Sequence, residues 1–578
     1  MPLPHKFFIT VLFLLLFKEG TKAQETQTFS KLSPETVYLH LNTTVFFPGD
    51  YVHYSCYVLD RKTLRSSTTS KVAYITLINE TLETIFEKTL FLTNGKATSD
   101  IFIGTNLPTG NYKLLAHTQW MRNGGMASFF KSDITIVNPY TTAKTKTNNS
   151  LETYGAEIDR NDQIQSQKTF KNTAPPLLEI SMTSPVLGTR KEGQANITIK
   201  DPSLQKGSYS LSIRKAGSLS GYEPPNATAL LPEKKEKARY DSILFIPELR
   251  GKILSGTIIK EEDNTAALSL ALSVPGQPER FNIYRTDAEG RFDIVIPKGI
   301  ENEMAFLDLL DQENAKLQLT PTPAITYDAI SFRRFELSPK MEKAILEKSV
   351  HNQIETSYFA VKPDSLFPTP KTTLLEKGTQ SHFRLDDYTR FPTLRETIRE
   401  IIGPIQISGA NSGNRMRVRT PPSILFDTKD ALVLLNGRLV KDHALLLDQS
   451  ASDFEEIIAS QTNLFFGKQR YQGVVLFNTK LPQTVVPVFK NDSKPVDIPT
   501  VQPVKKYFSP NYGSVGGSWE HVPDFRYQLL WNGNYVLRQK NNTISFTTSD
   551  ITGTFEIVLE GFTAIGTPIS ERVLFTVE

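Results

Sequence analysis

The stretch ETVYLHLNTTVFFPGDYVHYSCYVLD, Glu35 to Asp60, decides how this chain is read. Val37, Leu39 and Leu41 alternate with Tyr38 and His40, the two-residue period of a strand whose faces differ. Pro48-Gly49-Asp50 turns the chain, and Tyr51 to Val58 alternates again with Val52, Tyr54, Cys56 and Val58 in phase. Farther on, Asn94-Gly95 is a hairpin signal, and Pro108-Thr109-Gly110 leads into Tyr112, Leu114 and Ala116. Thr36 to Val137 is therefore expected to be an all-β module. Cys56 is the only cysteine. Its place on the apolar face predicts a buried small hydrophobe, because a reactive thiol needs an electropositive, partly exposed setting.

Outward from this module, the N-terminus reads as a secretory signal peptide, residues 1–23. Lys6 precedes the apolar run Phe7 to Phe17, and Thr21-Lys22-Ala23 offers a small-x-small cleavage site before Gln24. As a helix the run would span only about 16 Å, roughly half a bilayer core. No cysteine sits at the cleavage site, which argues against a lipoprotein, and no later segment reads as a transmembrane helix. The mature chain would hold 555 residues (578 minus 23), enough for three to five domains at roughly 150 residues each. With 65 basic and 61 acidic residues interspersed, the net charge of +4 excludes an electrostatic nucleic-acid surface.

Glu35 to Asp60 and LPTGNYKLLAHTQWMRN, Leu107 to Asn123, resemble the MG2 domain of the α2-macroglobulin superfamily, assigned to residues 30–138. A Thr-, Asn- and Gln-rich linker, 139–176, follows. Leu177 to Lys215, ending in SYSLSIRK, resembles a second, partial macroglobulin-type sandwich (177–216), short enough to need strands from elsewhere. A loop, 217–247, carries the solvated charge run Glu233 to Lys237. ILSGTII and FNIYRTDAEGRFDIVI, within 248–325, resemble the carboxypeptidase-regulatory type of Ig-like sandwich, a spacer without peptidase activity, with Asp287-Ala288-Glu289-Gly290 as its turn. Met341 to Tyr358 has helical periodicity through Ile345, Val350 and Ile354. It is expected to pack on that sandwich or approach the next domain, within a connector at 326–384.

Between Leu385 and Lys480 the signals change. Thr393-Leu394-Arg395-Glu396 is a capping box, with Leu394, Ile398, Ile401 and Ile402 as an apolar face and Gly403-Pro404 as the stop. Ser452-Asp453-Phe454-Glu455 repeats that pattern and predicts a second helix burying Phe454, Ile457 and Ile458. Ala431 to Leu435 runs into the tight turn Asn436-Gly437, and Val474 to Phe477 is a closing strand. ALVLLNGRLVKD, SDFEEIIAS and YQGVVLFNTK, in that order, resemble the plug domain of TonB-dependent receptors, assigned to 385–482. LDDYTRFPTLRETIREI, Leu385 to Ile401, resembles exported Bacteroidota proteins that join macroglobulin-like and plug-like domains. Fewer than a hundred residues follow Lys480, too few for a closed membrane barrel. A linker, 483–503, and a C-terminal β-sandwich, 504–578, complete the reading. Asp524-Phe525-Arg526, Leu530-Trp531-Asn532 and Ile544 to Ile569 resemble the last sandwich of the same group, with Gly533 where that group usually has Pro. Trp531 is expected to be a buried sandwich aromatic.

The expected fold class is thus mainly β: a string of Ig-like and macroglobulin β-sandwiches plus one small α+β plug-like domain. There is no His-Glu-x-x-His, Gly-x-Ser-x-Gly or phosphate-binding loop. Ser212 and Lys215 match a Ser-x-x-Lys string, but residues three apart on a strand face opposite ways. Asp386-Asp387 precedes a helix start, Asp287 and Glu289 are turn residues, and Gly409 to Gly413 reads as a loop. No catalytic, cofactor-binding or metal residue is expected, and no cofactor. A macroglobulin thioester needs Cys-Gly-Glu-Gln, whereas Cys56 is followed by Tyr57.

The resemblances imply a non-enzymatic exported scaffold of a Bacteroidota-type cell envelope, periplasmic or outer-membrane associated. Its expected partners are envelope proteins, among them an outer-membrane β-barrel receptor. The alternatives are an endopeptidase inhibitor without thioester and an accessory of outer-membrane transport.

Overall fold

A computed structural model describes residues 32–141, 177–217, 224–232, 244–259, 267–296, 298–299, 304–310, 315–327, 330–333, 337, 339–367, 379–409, 414–419, 429–466, 469–481, 488–489, 493–498, 504–512 and 521–578. The signal-peptide segment 1–23, nearly all of the linker 139–176, the charge run Glu233 to Lys237 and Ala410 to Gly413 lie outside them. The chain is mainly β. It divides into one unit of Met1–Leu249, Thr326–Phe367 and Val504–Glu578, and a second of Arg250–Ile325 and Pro368–Pro503.

In the first unit, Glu35–Leu41, Tyr51–Asp60 and Lys96–Phe102 form one sheet. Val45–Phe46, Phe130–Ile136, Gly110–His117, Val72–Asn79 and Thr84–Phe91 form the facing one. Their apolar faces meet at Leu39, Tyr54, Cys56, Ile75 and Leu114, all fully buried. Asn94 and Gly95 take positive φ (51° and 72°), and Thr93 and Lys96 exchange backbone bonds across them. The turn is as read, but its flanking strands belong to different sheets, so it carries the chain across the sandwich.

Two segments that the sequence reading kept apart are one sandwich. Ser208–Lys215 lies between Gln528–Tyr535 and Gly553–Phe562, and Glu192–Ile199 lies between Leu178–Met182 and Asn541–Thr547. Ile213 pairs with both Leu530 and Ile557. The reason is burial: Leu211 and Ile213 are fully buried, and a strand so placed needs neighbours along both edges. Assigning 177–216 and 504–578 to separate domains is therefore corrected, since neither closes a sandwich alone.

Helix α1, Glu342–Ser357, forms as expected but in another place. Ala344 and Ile345 pack on Val45, Phe47 and Val137 of the first sandwich, and Val350 is exposed. The positions it buries are polar. Asn352 donates to Pro48 O and Asp50 Oδ1, and Lys348 pairs with Asp50 at 2.9 Å.

The second unit repeats the split pattern. One sheet of its sandwich is Arg291–Ile296, Lys252–Ile259 and Lys316–Leu319; the other is Asn282–Arg285, Ser269–Ser273, Met304–Leu309 and Lys494–Asp497. The last strand comes from the stretch read as the linker 483–503. Val496 pairs with Ala305 and enters the core beside Leu307, while Pro495 is tolerated because the strand is an edge.

Inserted there is an α+β module with sheet order Gln380–Arg384, Phe454–Phe466, Gln469–Thr479, Leu432–Leu435, Arg438–Leu439. Helix α2, Leu394–Ile401, has the reciprocal Thr393/Glu396 capping box and buries Leu394 and Ile398. The helix predicted from Ser452 is absent. Ala451–Asp453 is one 3-10 turn, and Phe454 begins a thirteen-residue strand paired on both sides, where Ile457 and Ile458 suit the pleat. The second helix, α3, is His443–Leu447, with the Asp442 carboxylate accepting from Ala444 N and Leu445 N.

Candidate functional site

The second face of the Glu35–Asp60 hairpin does not meet solvent. Tyr38, His40, His53, Ser55 and Tyr57 are all buried, because this face packs on the split sandwich. Tyr57 Oη donates to Ser210 Oγ (2.8 Å), and His40 Nδ1 lies 2.6 Å from the same oxygen. Tyr38 Oη donates to Glu560 Oε2 at 3.0 Å, and Ser55 Oγ donates to Gly533 O at 3.2 Å. Gly533 is required here: a Cβ at that position would lie 2.0 Å from Thr98 Oγ1.

A buried carboxylate, Glu560, and a half-buried amine, Lys96, join this seam. The Glu560 carboxylate accepts from Tyr38 Oη, Ala227 N and Ser570 Oγ (2.6 Å), yet burial pushes it up to about 7. Burial also pulls Lys96 down to about 7; its Nζ donates to Tyr209 O (2.6 Å) and sits 4.9 Å from the Tyr57 ring centre.

Beside the seam the two sandwiches and α1 enclose a cleft of about 800 Å³. Its floor is His53 stacked on Trp531, ring centres 5.7 Å apart, with Tyr507 edge-on to His53 at 4.4 Å. Burial takes His53 down to about 4, so the ring is neutral near pH 7. Tyr51 and Phe102, 5.1 Å apart, and the exposed Phe359 stand at the rim. Helix α1 and its C-terminal turn tie the walls together. Glu355 accepts from Phe525 N (2.6 Å) and pairs with Lys362, while His351 lies flat on Phe525 at 4.3 Å. Asp100, held below its ordinary range despite burial by Lys505 and Tyr507, anchors the segment after Val504 to the first sandwich.

Each residue that the sequence offers for chemistry has a structural setting of its own. Cys56 is fully buried and its thiol is pushed up to about 12. Ser212 Oγ accepts from Gln528 Nε2 (2.9 Å), and Lys215 Nζ donates to Thr552 O. Asp386 pairs with Arg390, which holds it below the usual carboxylate range. Asp287 and Glu289 both pair with Arg291. Trp531 is buried, 4% exposed, as read, but its role as cleft floor was missed. The cleft draws on Phe102 and on residues within 42–53, 214–217, 344–364 and 507–552, which no local motif links.

No protein-family profile matches the chain, and no curated protein sequence does. Among solved structures, Salmonella α2-macroglobulin reacted with methylamine is similar over 94% of this chain and 40% of its own, at 8% identity and a TM-score of 0.22. Trypsin-activated α2-macroglobulin from Escherichia coli is similar over 94% of this chain and 42% of its own, at 8% identity and a TM-score of 0.24. The Escherichia coli adhesin FdeC covers 50% of this chain and 64% of its own, at 7% identity and a TM-score of 0.14. The chain thus spans about two fifths of the macroglobulins' length. Among the described residues, no helix is long and apolar enough to cross a membrane.

Proposed function

We propose that this chain is a non-enzymatic, exported scaffold that works by contact with other proteins of the cell envelope. The observation that carries the reading is the buried, hydrogen-bonded seam of the first unit. Tyr38–Glu560 and Tyr57–Ser210–His40 hold two sandwiches in one register and keep an aromatic cleft open beside them. A preorganised concave surface lowers the ordering cost of binding. The plug-like reading of the α+β module points to an outer-membrane β-barrel as partner, with the chain exported by the signal peptide read at residues 1–23.

The test is photo-crosslinking in intact cells, with p-benzoylphenylalanine replacing Phe359 at the cleft and, separately, Phe465 on the α+β module. Recovery of an outer-membrane barrel or its associated proteins supports the scaffold. Recovery of endopeptidases, with slower cleavage of large substrates by the captured enzyme, would establish an inhibitor instead.

A further inference from the structure

We propose that the cleft of the first unit receives an arginine side chain from an extended segment of the partner protein. The inference deepens the scaffold reading and rests on it. Its first support is the charge balance of the lining. The five cations there are all engaged: Arg214 with Glu556, Lys215 with Thr552 O, Lys348 with Asp50, Lys362 with Glu355, and Arg526 with Asp524. Of the four lining acids, Asp50 and Glu355 are consumed by those pairs. Among the described residues, Asp364 and Glu347 have no cation within ion-pair distance. Lys215, bonded only to a carbonyl, keeps its charge and is offset by Glu347, so Asp364, which feels Lys505 but forms no ion pair among the described residues, is the negative charge left for an incoming group.

Asp364 is the better placed of the two. One carboxylate oxygen accepts from Phe508 N at 3.0 Å, and no bond is made by the other among the described residues. Burial raises this acid above its ordinary value, which an incoming cation would reverse. It lies close enough to Tyr51 and Tyr507 that, after burial and Asp100, its charge helps to raise both phenols.

The second support is the aromatic setting. Tyr51 and Phe102, in contact at the rim, and Phe359, 57% exposed, line the same cleft as the Asp364 carboxylate. A planar guanidinium stacks on such faces while its N–H fork meets the carboxylate; a compact ammonium does the first less well. The third support is the floor. His53 Nδ1 and Trp531 Nε1 are buried without a hydrogen-bond partner among the described residues. Small shifts of these rings would let flanking peptide carbonyl and N–H groups satisfy them.

The experiment uses the full chain and fluorescein-labelled Gly-Gly-Arg-Gly-Gly, with counterparts carrying Lys or neutral citrulline in place of Arg, read by fluorescence anisotropy. The expected result is binding of the Arg peptide at least about ten-fold tighter than the citrulline peptide and several-fold tighter than the Lys peptide. Asp364→Asn should abolish the Arg preference, and Phe359→Ala should weaken it. Persistent protection of Cys56 from thiol reagent verifies the first sandwich, and an unchanged near-UV circular dichroism spectrum the rest of each variant. Equal binding of Arg and citrulline, no binding of either at millimolar peptide, or an Arg preference surviving Asp364→Asn would overturn the inference. Should crosslinking at Phe359 capture a barrel while the peptides show no preference, the scaffold stands and the arginine site falls.

Discussion

The first sandwich and the second are built from similar strands yet reach closure by opposite routes. In the first, every strand lies between Glu35 and Ile136, and successive strands are near neighbours in the chain. In the second, Ser208–Lys215 has no partner until Gln528–Tyr535, and Gln528 bonds to Ile213 across 315 positions. Closing a loop of that length costs about 2–3 kcal/mol more than closing one of about fifteen residues. The contrast teaches that a sandwich motif in sequence can be half of an object whose other half is far away.

Truncation after Pro503 should break the comparison most severely. The strands Leu178–Met182, Glu192–Ile199 and Ser208–Lys215 would lose their partners, so limited proteolysis should degrade 177–217 while a fragment containing 32–141 survives. A truncated chain in which 177–217 stays resistant would show that this half closes alone.

Folding order is the next test. Pulse-labelled hydrogen exchange during refolding should protect amides of Tyr51–Asp60 and Gly110–His117 before those of Ser208–Lys215 and Gly553–Phe562. Burial of the Cys56 thiol, followed by reagent pulses, reports the first sandwich independently.

The seam joining the two regions gives a pH prediction. Glu560, raised in the folded state to about 7 from a carboxylate's ordinary value, contributes stability below the unfolded pKa that is lost as pH rises through about 7. Lys96 is lowered to about 7, so its folded form regains stability as pH climbs from 7 toward the unfolded lysine range. Glu560 thus supplies an acid limb falling toward pH 7 and Lys96 an alkaline limb rising from it, each roughly 3 kcal/mol or more and read as wild type minus variant, because buried His40 and His53, lowered to about 3 and 4, add stability of the opposite slope below the ordinary histidine range. In denaturant titrations across pH, Glu560→Gln should flatten the acid limb and Lys96→Met the alkaline one. A profile unchanged by both variants would mean that neither group is sealed from water.

A smaller effect is expected at Ser210, whose hydroxyl serves both Tyr57 and His40. Ser210→Ala leaves two buried polar groups without that partner and should lower stability by about 1–3 kcal/mol. Equilibrium unfolding measures it; a loss below about 0.5 kcal/mol would mean the pair finds water or another acceptor.

Local signals were legible where local physics decides. The Thr393/Glu396 capping box and the Asn436-Gly437 turn, φ 48° and 85°, stand where the residues put them. Ser452-Asp453-Phe454-Glu455 carries the same capping pattern, yet pairing of Phe454–Phe466 on both edges outweighs about 1 kcal/mol of cap. The α3 cap at Asp442 lacks a Glu at the third position and escaped notice. Alternation in Tyr51 to Val58 identified Cys56 and Tyr54 as core but could not reveal that His53, Ser55 and Tyr57 on the other face are buried too. That second burial depends on a sandwich completed at the far end of the chain, and the cleft depends on that sandwich in turn. Trp531 was therefore readable as buried but not as part of a site.

The nested connectivity has one more consequence. The backbone passes between the two units four times, at residues 249/250, 325/326, 367/368 and 503/504. A protease that severs any single passage leaves three covalent links intact, so one nick cannot release either unit.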